Sequence, residues 1–253
     1  MKRLLINGIA GQMGRALLRA LPKWSDRIEI VCGVDCNDPG CDVPVFSDCD
    51  SIEKDFDVAI DFSVPNGTMA ILAHCVRNKK PIVICTTGLT DRQVRAIEEA
   101  SKVIPIFRSG NMSLGVHLLL ALCRQAERTL AGTYDVEIVE THHNRKIDAP
   151  SGTAKMIADA IAGEREEQPA YVFGRRDANR RREAGEIGIH SVRGGTVTGE
   201  HEVLFLGEDE AIVLTHRAFS KDVFAQGALH AALFLADKPC GLYDMGDLVS
   251  ERV

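Results

Sequence analysis

The chain has 253 residues, of which 45% are hydrophobic, so it can form one large domain or two modest ones with a sizeable core. Its formal net charge of −6 provides no overall basic field, which argues against a protein that binds nucleic acid. No apolar run approaches the roughly 20 residues of a membrane-spanning helix, and no signal peptide precedes the first predicted strand. We therefore expect a cytoplasmic protein that does not enter a membrane.

The eight cysteines form no CxxC pair, although four of them lie close together early in the chain: Cys32, Cys36, Cys41 and Cys49. Their spacings match no zinc or haem pattern, so we interpret them as reduced thiols and predict no metal site. The Arg-rich segment from Arg175 to Arg182 is interpreted as a solvated loop. The alternative is that this segment attracts an anionic substrate or cofactor.

The first predicted strand, Lys2–Asn7, leads into a glycine-rich turn and then a helix; the turn is Gly8-Ile9-Ala10-Gly11-Gln12-Met13-Gly14. This is a GxxGxxG variant of the dinucleotide-binding fingerprint, in which Ala10 takes the place of the usual middle glycine. Gly8 and Gly11 would let the backbone approach a pyrophosphate at the helix N-terminus, and Gly14 would let the helix pack on the strand. Alone the motif is weak, because such turns also serve as tight connections.

A second predicted strand at residues 28–34 follows at the spacing of a βαβ unit and leads to Asp35. An acidic side chain at this point can accept hydrogen bonds from the ribose hydroxyls of NAD. Cys36 and Asn37 come next, where an arginine would pair with the 2′-phosphate of NADPH. We therefore predict that NADH is the preferred cofactor, with NADPH as the alternative.

Strands alternate with helices through the rest of the first half, with strands predicted at residues 57–63, 81–85 and 103–107 and helices at 68–77 and 91–100. This alternation predicts an α/β fold with a parallel, doubly wound sheet. Ligands of such sheets bind outside the carboxyl ends of the strands. The segments that follow the strands are therefore candidate cofactor walls: residues 8–13, Asp35, residues 62–63, 86–88 and 109–112.

A polar loop rich in titratable groups follows a predicted helix at residues 117–130 and a strand at 134–138. It contains His142, His143 and Lys146 and ends in a Ser151-Gly152-Thr153 turn. Ser151 is a good N-cap for a helix at about residues 153–162, and a helix N-terminus favours an anion. Proton donors beside an anion site suit an enzyme with an anionic substrate, whereas the alternative is a solvated loop with a capped helix.

The two adjacent histidines of this loop raise a question of orientation. Neighbouring residues of an extended strand point to opposite faces. Both His142 and His143 can therefore face one site only if the strand has ended by then; otherwise one of them is structural.

Three strands are predicted in the last third, at residues 186–193, 196–206 and 211–217, with Gly194-Gly195 and residues 207–210 as hairpin turns. This predicts an antiparallel block and a second domain, in which His190, Arg193, His201 and His216 are interpreted mostly as surface or packing residues. The helix predicted at 223–236 exceeds the number of helices that we expect in this second domain, which suggests that it returns to the first domain. We expect residues 1–113 and 222–253 to form the first domain and 114–221 the second.

The chain resembles the 4-hydroxy-tetrahydrodipicolinate reductase (dihydrodipicolinate reductase) family nearly end to end. The most specific part is Glu140-x-His142-His143-x-x-Lys146-x-Asp148-Ala149-Pro150-Ser151-Gly152-Thr153-Ala154. The resemblance implies an N-terminal Rossmann domain and an α+β substrate domain whose mixed, mostly antiparallel sheet also builds a homotetramer. It implies hydride transfer from NAD(P)H to an unsaturated heterocyclic dicarboxylate in lysine and diaminopimelate biosynthesis.

The same resemblance implies roles for individual residues. His142 matches the catalytic acid and Lys146 the second proton donor. The positions that match substrate contacts are His143, Ser151, Gly152 and Thr153. The positions that match cofactor contacts are Gly8, Ile9, Ala10, Gly11, Gln12, Met13, Asp35, Cys85, Thr86, Thr87, Ser109, Gly110, Asn111 and Met112.

The chain departs from the family pattern at Gln12, Cys36 and Cys85, and all three departures favour NADH. Hydride addition to a conjugated imine leaves an enamine-like anion, which a histidine can protonate at neutral pH where surrounding anions favour its charged form. Two other functions stay open at this point. One is a different Rossmann dehydrogenase, and the other is an NAD-binding regulator or redox sensor, for which the cysteine-rich segment is the motive.

Overall fold

The computed structural model describes residues 1–37, 40–130, 132–175 and 180–251. The chain divides into two compact units: the first unit comprises Met1–Leu114 and Lys221–Val253, and the second unit comprises Gly115–Ser220. In the part of the chain that the structure describes, no helix is long and apolar enough to cross a membrane.

The strands are β1 (Lys2–Asn7), β2 (Ile28–Val34), β3 (Val45–Phe46), β4 (Val58–Asp61), β5 (Ile82–Ile84), β6 (Pro105–Arg108), β7 (Asp135–His142), β8 (Tyr171–Phe173), β9 (Ile187–Arg193), β10 (Gly199–Leu206), β11 (Ala211–Ala218) and β12 (Gly241–Tyr243). The α-helices are α1 (Gln12–Ala20), α2 (Pro65–Asn78), α3 (Asp91–Ser101), α4 (Leu114–Leu130), α5 (Gly152–Ala162), α6 (Asp222–Leu235) and α7 (Met245–Ser250).

The first unit is built on a seven-stranded sheet in the order β12-β6-β5-β4-β1-β2-β3, and every neighbouring pair is parallel. All residues of β4 and β5 are buried, as expected for strands covered on both faces. The predicted doubly wound parallel sheet is confirmed. The chain direction across the sheet reverses between β1 and β4, which is where sheets of this kind bind ligands.

The sixth helix packs in the core of the first unit, against α1 and against β4, β5 and β6. Its buried residues are mostly alanines, which bring its backbone close to its neighbours: Ala225, Gly227, Ala228, Leu229, Ala231, Ala232 and Leu235. The approach is closest at Gly227, where an added Cβ would lie 1.6 Å from the carbonyl oxygen of Met112. Only glycine fits this position without a shift of the backbone.

The second unit contains a five-stranded mixed sheet in the order β11-β10-β7-β9-β8. Its β10–β11 and β10–β7 pairs are antiparallel, whereas its β7–β9 and β8–β9 pairs are parallel. The predicted hairpin at Gly194-Gly195 is therefore wrong, because β7 lies between the two strands that it would have joined. The glycine pair instead contacts the end of β7: Gly194 donates its N–H to the oxygen of His142, and the oxygen of Gly195 accepts from Asn144.

The central strand β7 is longer than predicted and ends at His142. One of its faces is buried at every second position: Val136, Ile138, Glu140 and His142. The first two of these pack in an apolar core with residues of α4 and α5. The buried face of β7 therefore changes from apolar to ionisable at its carboxyl end, and this change positions the candidate site.

Candidate active site

His142 is the last residue of β7, and its imidazole lies beside the carboxylate of Glu140. The Nδ1 atom of His142 is 2.5 Å from Oε2 of Glu140. Residues two apart on a strand share a face, so the backbone itself brings the two side chains together. Because an ionised carboxylate can only accept, Nδ1 carries the proton of this hydrogen bond. The other ring nitrogen, Nε2, is the one left for chemistry.

Glu140 is fully buried, and both of its oxygens are held by donors. The two terminal nitrogens of Arg193 donate to them at 2.8 and 2.7 Å, and the N–H of Ser151 donates at 3.2 Å. Burial alone would raise the pKa of Glu140, but the hydrogen bonds from Arg193, Ser191 and His142 outweigh it and lower the pKa to about 2. Glu140 is therefore a fixed negative charge.

The pKa of His142 is lowered, and burial is the main cause. The hydrogen bond and charge of Glu140 act in the opposite direction, while Lys146 and Arg193 add to the lowering. The expectation that surrounding anions favour the charged form is therefore met by Glu140 alone and is outweighed. A further negative charge nearby, such as that of an anionic substrate, would raise the pKa of His142 again.

Lys146 and His143 lie in the loop after β7. The Nζ atom of Lys146 donates to both oxygens of Asp148, at 2.8 and 2.9 Å. His143 follows the last residue of the strand, so the alternation of strand residues does not fix its direction. Its Nδ1 atom is buried and has no hydrogen-bond partner among the described residues, which leaves that atom for a ligand or water.

The turn at Ser151 begins helix α5. Ser151 accepts a hydrogen bond from the N–H of Ala154 at 3.1 Å, so its predicted role as the N-cap is confirmed. The Ser151 hydroxyl also lies 3.0 Å from Nε2 of His201. Gly152 is exposed and Thr153 half-buried, and the first turn of α5 contains no acidic residue. The positive end of the helix is thus available to an anion.

His201 and Gly199, both on β10, complete the surroundings of His142. The rings of His142 and His201 meet edge to face, with centroids 5.3 Å apart. Burial lowers the pKa of His201 to about 4, so its imidazole is neutral at neutral pH. Gly199 lies next to the free nitrogen of His142: a Cβ there would be 3.0 Å from Nε2. Any side chain at this position would therefore crowd Nε2.

The sequence pattern favours a surface or packing role for Arg193, but the structure places it on the carboxylate that holds His142. This contact depends on the β7–β9 register, which pairs His142 with Arg193 across the sheet. A single sequence shows no such register. The sequence does contain one sign of this cluster: Glu140 and His142 are two residues apart, so both lie on one face of a strand.

The glycine-rich turn of the first unit has the geometry that a dinucleotide needs. Gly8 has a positive φ of 82°, and a Cβ on Gly14 would be 2.4 Å from the carbonyl oxygens of Gly8 and Ile9. Gly11 is the N-cap of α1 and offers no side chain to the helix start. A pyrophosphate fits such a turn because the helix N–H groups face it and no side chain is in the way.

Asp35 follows β2 and lies directly beside this turn. Its Oδ2 atom accepts from the N–H of Ala10 at 2.9 Å, and its Oδ1 atom accepts from the N–H of Asn37 at 3.0 Å. The neighbouring Cys36 is exposed. Gln12 is also exposed, and its side chain accepts from Nζ of Lys221 at 3.2 Å. The first unit therefore fixes one carboxylate, and no arginine, at the position after β2.

A buried carboxylate, Asp61, joins the ends of three strands in the first unit. It accepts from Asn7 at 2.8 Å and from the hydroxyls of Ser63, Thr68 and Thr86 at 2.5, 2.6 and 2.8 Å. Sequence patterning gives no role to Asp61, because it has the position of an ordinary strand residue. The structure makes it the common partner of the loops that include the candidate cofactor residue Thr86.

The remaining candidate cofactor residues fall into two groups. Ile9, Cys85 and Met112 are buried in the core of the first unit, and burial raises the pKa of the Cys85 thiol well above its usual range. These three can offer a ligand only their backbone atoms. Thr87 and Gly110 are exposed, and Met13, Ser109 and Asn111 are half-buried.

Part of the Arg-rich segment, which the sequence suggested to be a solvated loop, forms ion pairs with acidic residues. Residues 176–179 lie outside the described part of the chain, but three of its other arginines form ion pairs on the second unit. Arg175 pairs with Glu137 and Glu186, Arg180 with Glu186, and Arg182 with Asp135 and Glu137. Across residues 1–37, 40–130, 132–175 and 180–251, no group of three or more His, Cys, Asp or Glu is arranged to hold a metal ion.

Comparison with protein families matches residues 2–112 to the N-terminal domain of dihydrodipicolinate reductase and residues 115–249 to its C-terminal domain. The chain belongs to the dihydrodipicolinate reductase family. A relative from Caldanaerobacter subterraneus named 4-hydroxy-tetrahydrodipicolinate reductase is 48% identical over 251 residues, which cover 99% of each chain. One from Clostridium botulinum with the same name is 42% identical over 98% of each chain.

A solved dihydrodipicolinate reductase, the dipicolinate-bound enzyme from Paenisporosarcina, has the same fold. It superimposes with a TM-score of 0.80 at 27% identity and covers 96% of this chain and 97% of its own. The resemblance seen in the sequence is thus confirmed for both parts of the chain. The alternative of an unrelated Rossmann dehydrogenase does not fit a dihydrodipicolinate reductase family match that extends across both units.

Proposed function

We propose that the chain is a 4-hydroxy-tetrahydrodipicolinate reductase that makes tetrahydrodipicolinate for lysine and diaminopimelate biosynthesis, with NADH or NADPH as the reductant. One observation carries this proposal at the level of the site. A histidine held by an ionised carboxylate, His142 with Glu140, lies in the same small cluster as the N-terminus of α5. A proton donor is thereby joined to an anion-binding turn, which is what the reduction of an anionic imine requires.

The reaction separates into a hydride and a proton. The 4-hydroxy substrate first loses water, which leaves a carbon–carbon double bond conjugated with the imine. A bound nicotinamide cofactor would supply a hydride to the far carbon of this double bond, and the electrons would move onto the imine nitrogen to give an enamine-like anion. His142 supplies the proton to the resulting enamine-like anion from Nε2, because its Nδ1 is held by Glu140. The reduction needs only this one proton; Lys146, the second candidate donor, adds positive charge near the developing anion. The product then contains the two added hydrogens, and neutral His142 recovers its proton from solvent.

The substrate carboxylates bind at the turn before α5 in this proposal. Gly152 and Thr153 present the first N–H groups of the helix, and His143 offers its unpartnered Nδ1. Ser151 contributes by holding the turn, since its hydroxyl caps the helix and contacts His201. The negative charge that the substrate brings opposes the lowering of the His142 pKa by burial and so favours the acid form of the histidine.

The cofactor binds along the carboxyl edge of the parallel sheet. The contact positions that we propose are those named from the sequence: Gly8, Ile9, Ala10, Gly11, Gln12, Met13, Asp35, Cys85, Thr86, Thr87, Ser109, Gly110, Asn111 and Met112. The turn at Gly8–Gly14 receives the pyrophosphate, and the loops after β5 and β6 surround the nicotinamide half.

We expect kcat/KM to be higher with NADH than with NADPH. The carboxylate of Asp35, fixed by the N–H groups of Ala10 and Asn37, can accept from ribose hydroxyls and repels a 2′-phosphate. The two constants are measured side by side in steady-state assays. Cys36→Arg, which adds a cation at the next position, should shift the ratio toward NADPH. A clear preference of the unmodified protein for NADPH would refute this role of Asp35.

The reaction itself is tested by adding aspartate-semialdehyde, pyruvate and the preceding synthase, and following NADH oxidation. Turnover that requires all three additions supports the proposal. Tight NADH binding without turnover would favour a regulator or redox sensor, and turnover only with other substrates would favour a different dehydrogenase.

We also propose that the protein is a cytoplasmic homotetramer assembled through its second unit. The edge strand β11 pairs only with β10 among the described strands and exposes Ile212 and Val213. An exposed apolar edge strand is unfavourable unless another chain covers it. All eight cysteines are free thiols, as in a reducing compartment. Light scattering that gave the mass of a monomer would refute the assembly.

A further inference from the structure

We propose that Glu140 and Arg193 form a positioning pair for the proton donor of this reaction. Glu140 holds Nδ1 of His142, so that the transferred proton leaves from Nε2, and Arg193 holds Glu140 in place. The inference rests on the proposed reductase function but assigns roles to two residues that act by holding His142 in place.

The first argument is the way in which Arg193 is bound. It lies opposite His142 in the β7–β9 register and contacts each oxygen of Glu140 with a separate nitrogen, at 2.8 and 2.7 Å. A planar guanidinium bound in this bidentate way fixes the plane of the carboxylate as well as its place. One of its nitrogens also donates to the backbone oxygen of Asp148 at 2.7 Å. Arg193 thereby ties β7, β9 and the loop of Lys146 together.

The second argument is that Glu140 serves the donor and the anion-binding turn at once. Its Oε2 atom is bound by His142, and its Oε1 atom accepts the N–H of Ser151, the N-cap of α5. From the other side, His201 contacts the Ser151 hydroxyl and packs edge to face on His142. A closed ring of contacts therefore sets the distance between the proton donor and the bound carboxylate. Positioning of this kind decides rates because small displacements are costly.

The third argument concerns which group can be the acid. Glu140 itself is fully buried and has its oxygens occupied, and the neutral His201 has no proton to spare at neutral pH. Four charged or titratable groups face His142: Glu140 from β7, Arg193 from β9, His201 from β10 and Lys146 from the loop. Of these groups, His142 has the nitrogen that lies beside Gly199, where an added side chain would crowd it.

The proposal is tested by Glu140→Gln, with a matched control substitution on the same strand. Glu140→Gln removes the charge and should lower kcat by on the order of 10²-fold, as expected when a carboxylate no longer fixes a catalytic histidine. The KM for NADH should not change. The basic limb of the kcat/KM profile should move to lower pH, because His142 loses the negative charge that favours its protonated form. Arg193→Ala should reproduce the loss of kcat.

The control is Glu137→Gln, three residues earlier on the opposite face of β7. Glu137 also binds a histidine, His190, at 2.7 Å and the arginines Arg175 and Arg182. The charge change and the type of ion pair are the same, but none of these partners of Glu137 contacts His142 among the described residues. This variant should keep the kcat and pH profile of the unmodified protein. Equal losses in both variants would reduce Glu140 to a structural ion pair, and unchanged kcat and pH profile in Glu140→Gln would overturn the proposal.

A measurement without turnover separates this inference from the proposed function. Nitrogen-15 NMR of the imidazoles should show that neutral His142 carries its proton on Nδ1; a proton on Nε2 would overturn the positioning role. Gly199→Ala should crowd Nε2 and lower kcat while leaving that tautomer unchanged. If Glu140→Gln fails to fold, the tautomer of the unmodified protein still decides the question. A protein that shows the Nδ1 tautomer but does not reduce 4-hydroxy-tetrahydrodipicolinate would refute the function and not the geometry.

Discussion

Replacing His142 by alanine is expected to lower kcat by on the order of 10²–10⁴, the range of a single general acid. The affinity for NADH should change little, because the candidate cofactor residues lie in the first unit and His142 in the second. Steady-state kinetics and a binding titration with NADH measure the two quantities separately. His190→Ala is the control, since His190 binds Glu137 on the other face of β7. A kcat near that of the unmodified protein would remove His142 from the mechanism.

The pH profile gives the same prediction a second readout. His142 must be protonated to act as an acid, and burial lowers its pKa below the usual value of about 6.5. The rate with limiting substrate should therefore fall as the pH rises through this lowered pKa, and it should be highest on the acid side. The limb that belongs to His142 should be absent in His142→Ala. A limb that persists unchanged in the variant would belong to another group.

Gly227→Ala is expected to have the largest effect on the first unit, although an alanine is normally the better helix residue by about 1 kcal/mol. The new methyl group would lie 1.6 Å from the carbonyl oxygen of Met112 and 2.8 Å from its carbon. Both atoms belong to the backbone, so the helix or the loop must move. Overpacking of this kind costs on the order of 1–3 kcal/mol or more. Since Met112 ends the candidate cofactor loop after β6, NADH affinity should fall together with stability.

Thermal unfolding and the dissociation constant for NADH measure the two consequences. Gly194→Ala is the control, because a Cβ at Gly194 would meet nothing within 4 Å. It should leave the unfolding midpoint within a degree or two of the unmodified protein, in line with surface substitutions. An unchanged midpoint in Gly227→Ala would mean that α6 can slide away from Met112 at no cost.

The first unit could be predicted from the sequence because its signals are local. Buried strands of the parallel sheet are short apolar runs, and each is followed by a turn and a helix, so the alternation alone gives the architecture. What escaped prediction was short: β3 has two residues and β12 three, too few for any periodicity. The start of α2 at Pro65 was placed three residues too late, because a proline that suits the first helical position was interpreted as a break.

The second unit was harder because its pairing is not local. A Gly-Gly step between two strands predicts a hairpin, but β7 pairs with both of those strands and so separates them. The candidate acid, His142, and the anion-binding turn were visible as residue types in one loop. The contact between Glu140 and Arg193, 53 positions apart, depends on the register of two parallel strands and could not be seen.

The hydrogen bonds of Asp61 should couple the local unfolding of several segments of the first unit. A chain end or loop normally frays independently of its neighbours, and hydrogen exchange reports each opening separately. Here one buried carboxylate binds Asn7 at the end of β1, Ser63 after β4, Thr68 in α2 and Thr86 after β5. None of these segments can open alone without leaving a buried carboxyl group short of a donor. The cofactor edge of the sheet should therefore open as one cooperative unit, and a ligand that orders any one loop protects them all.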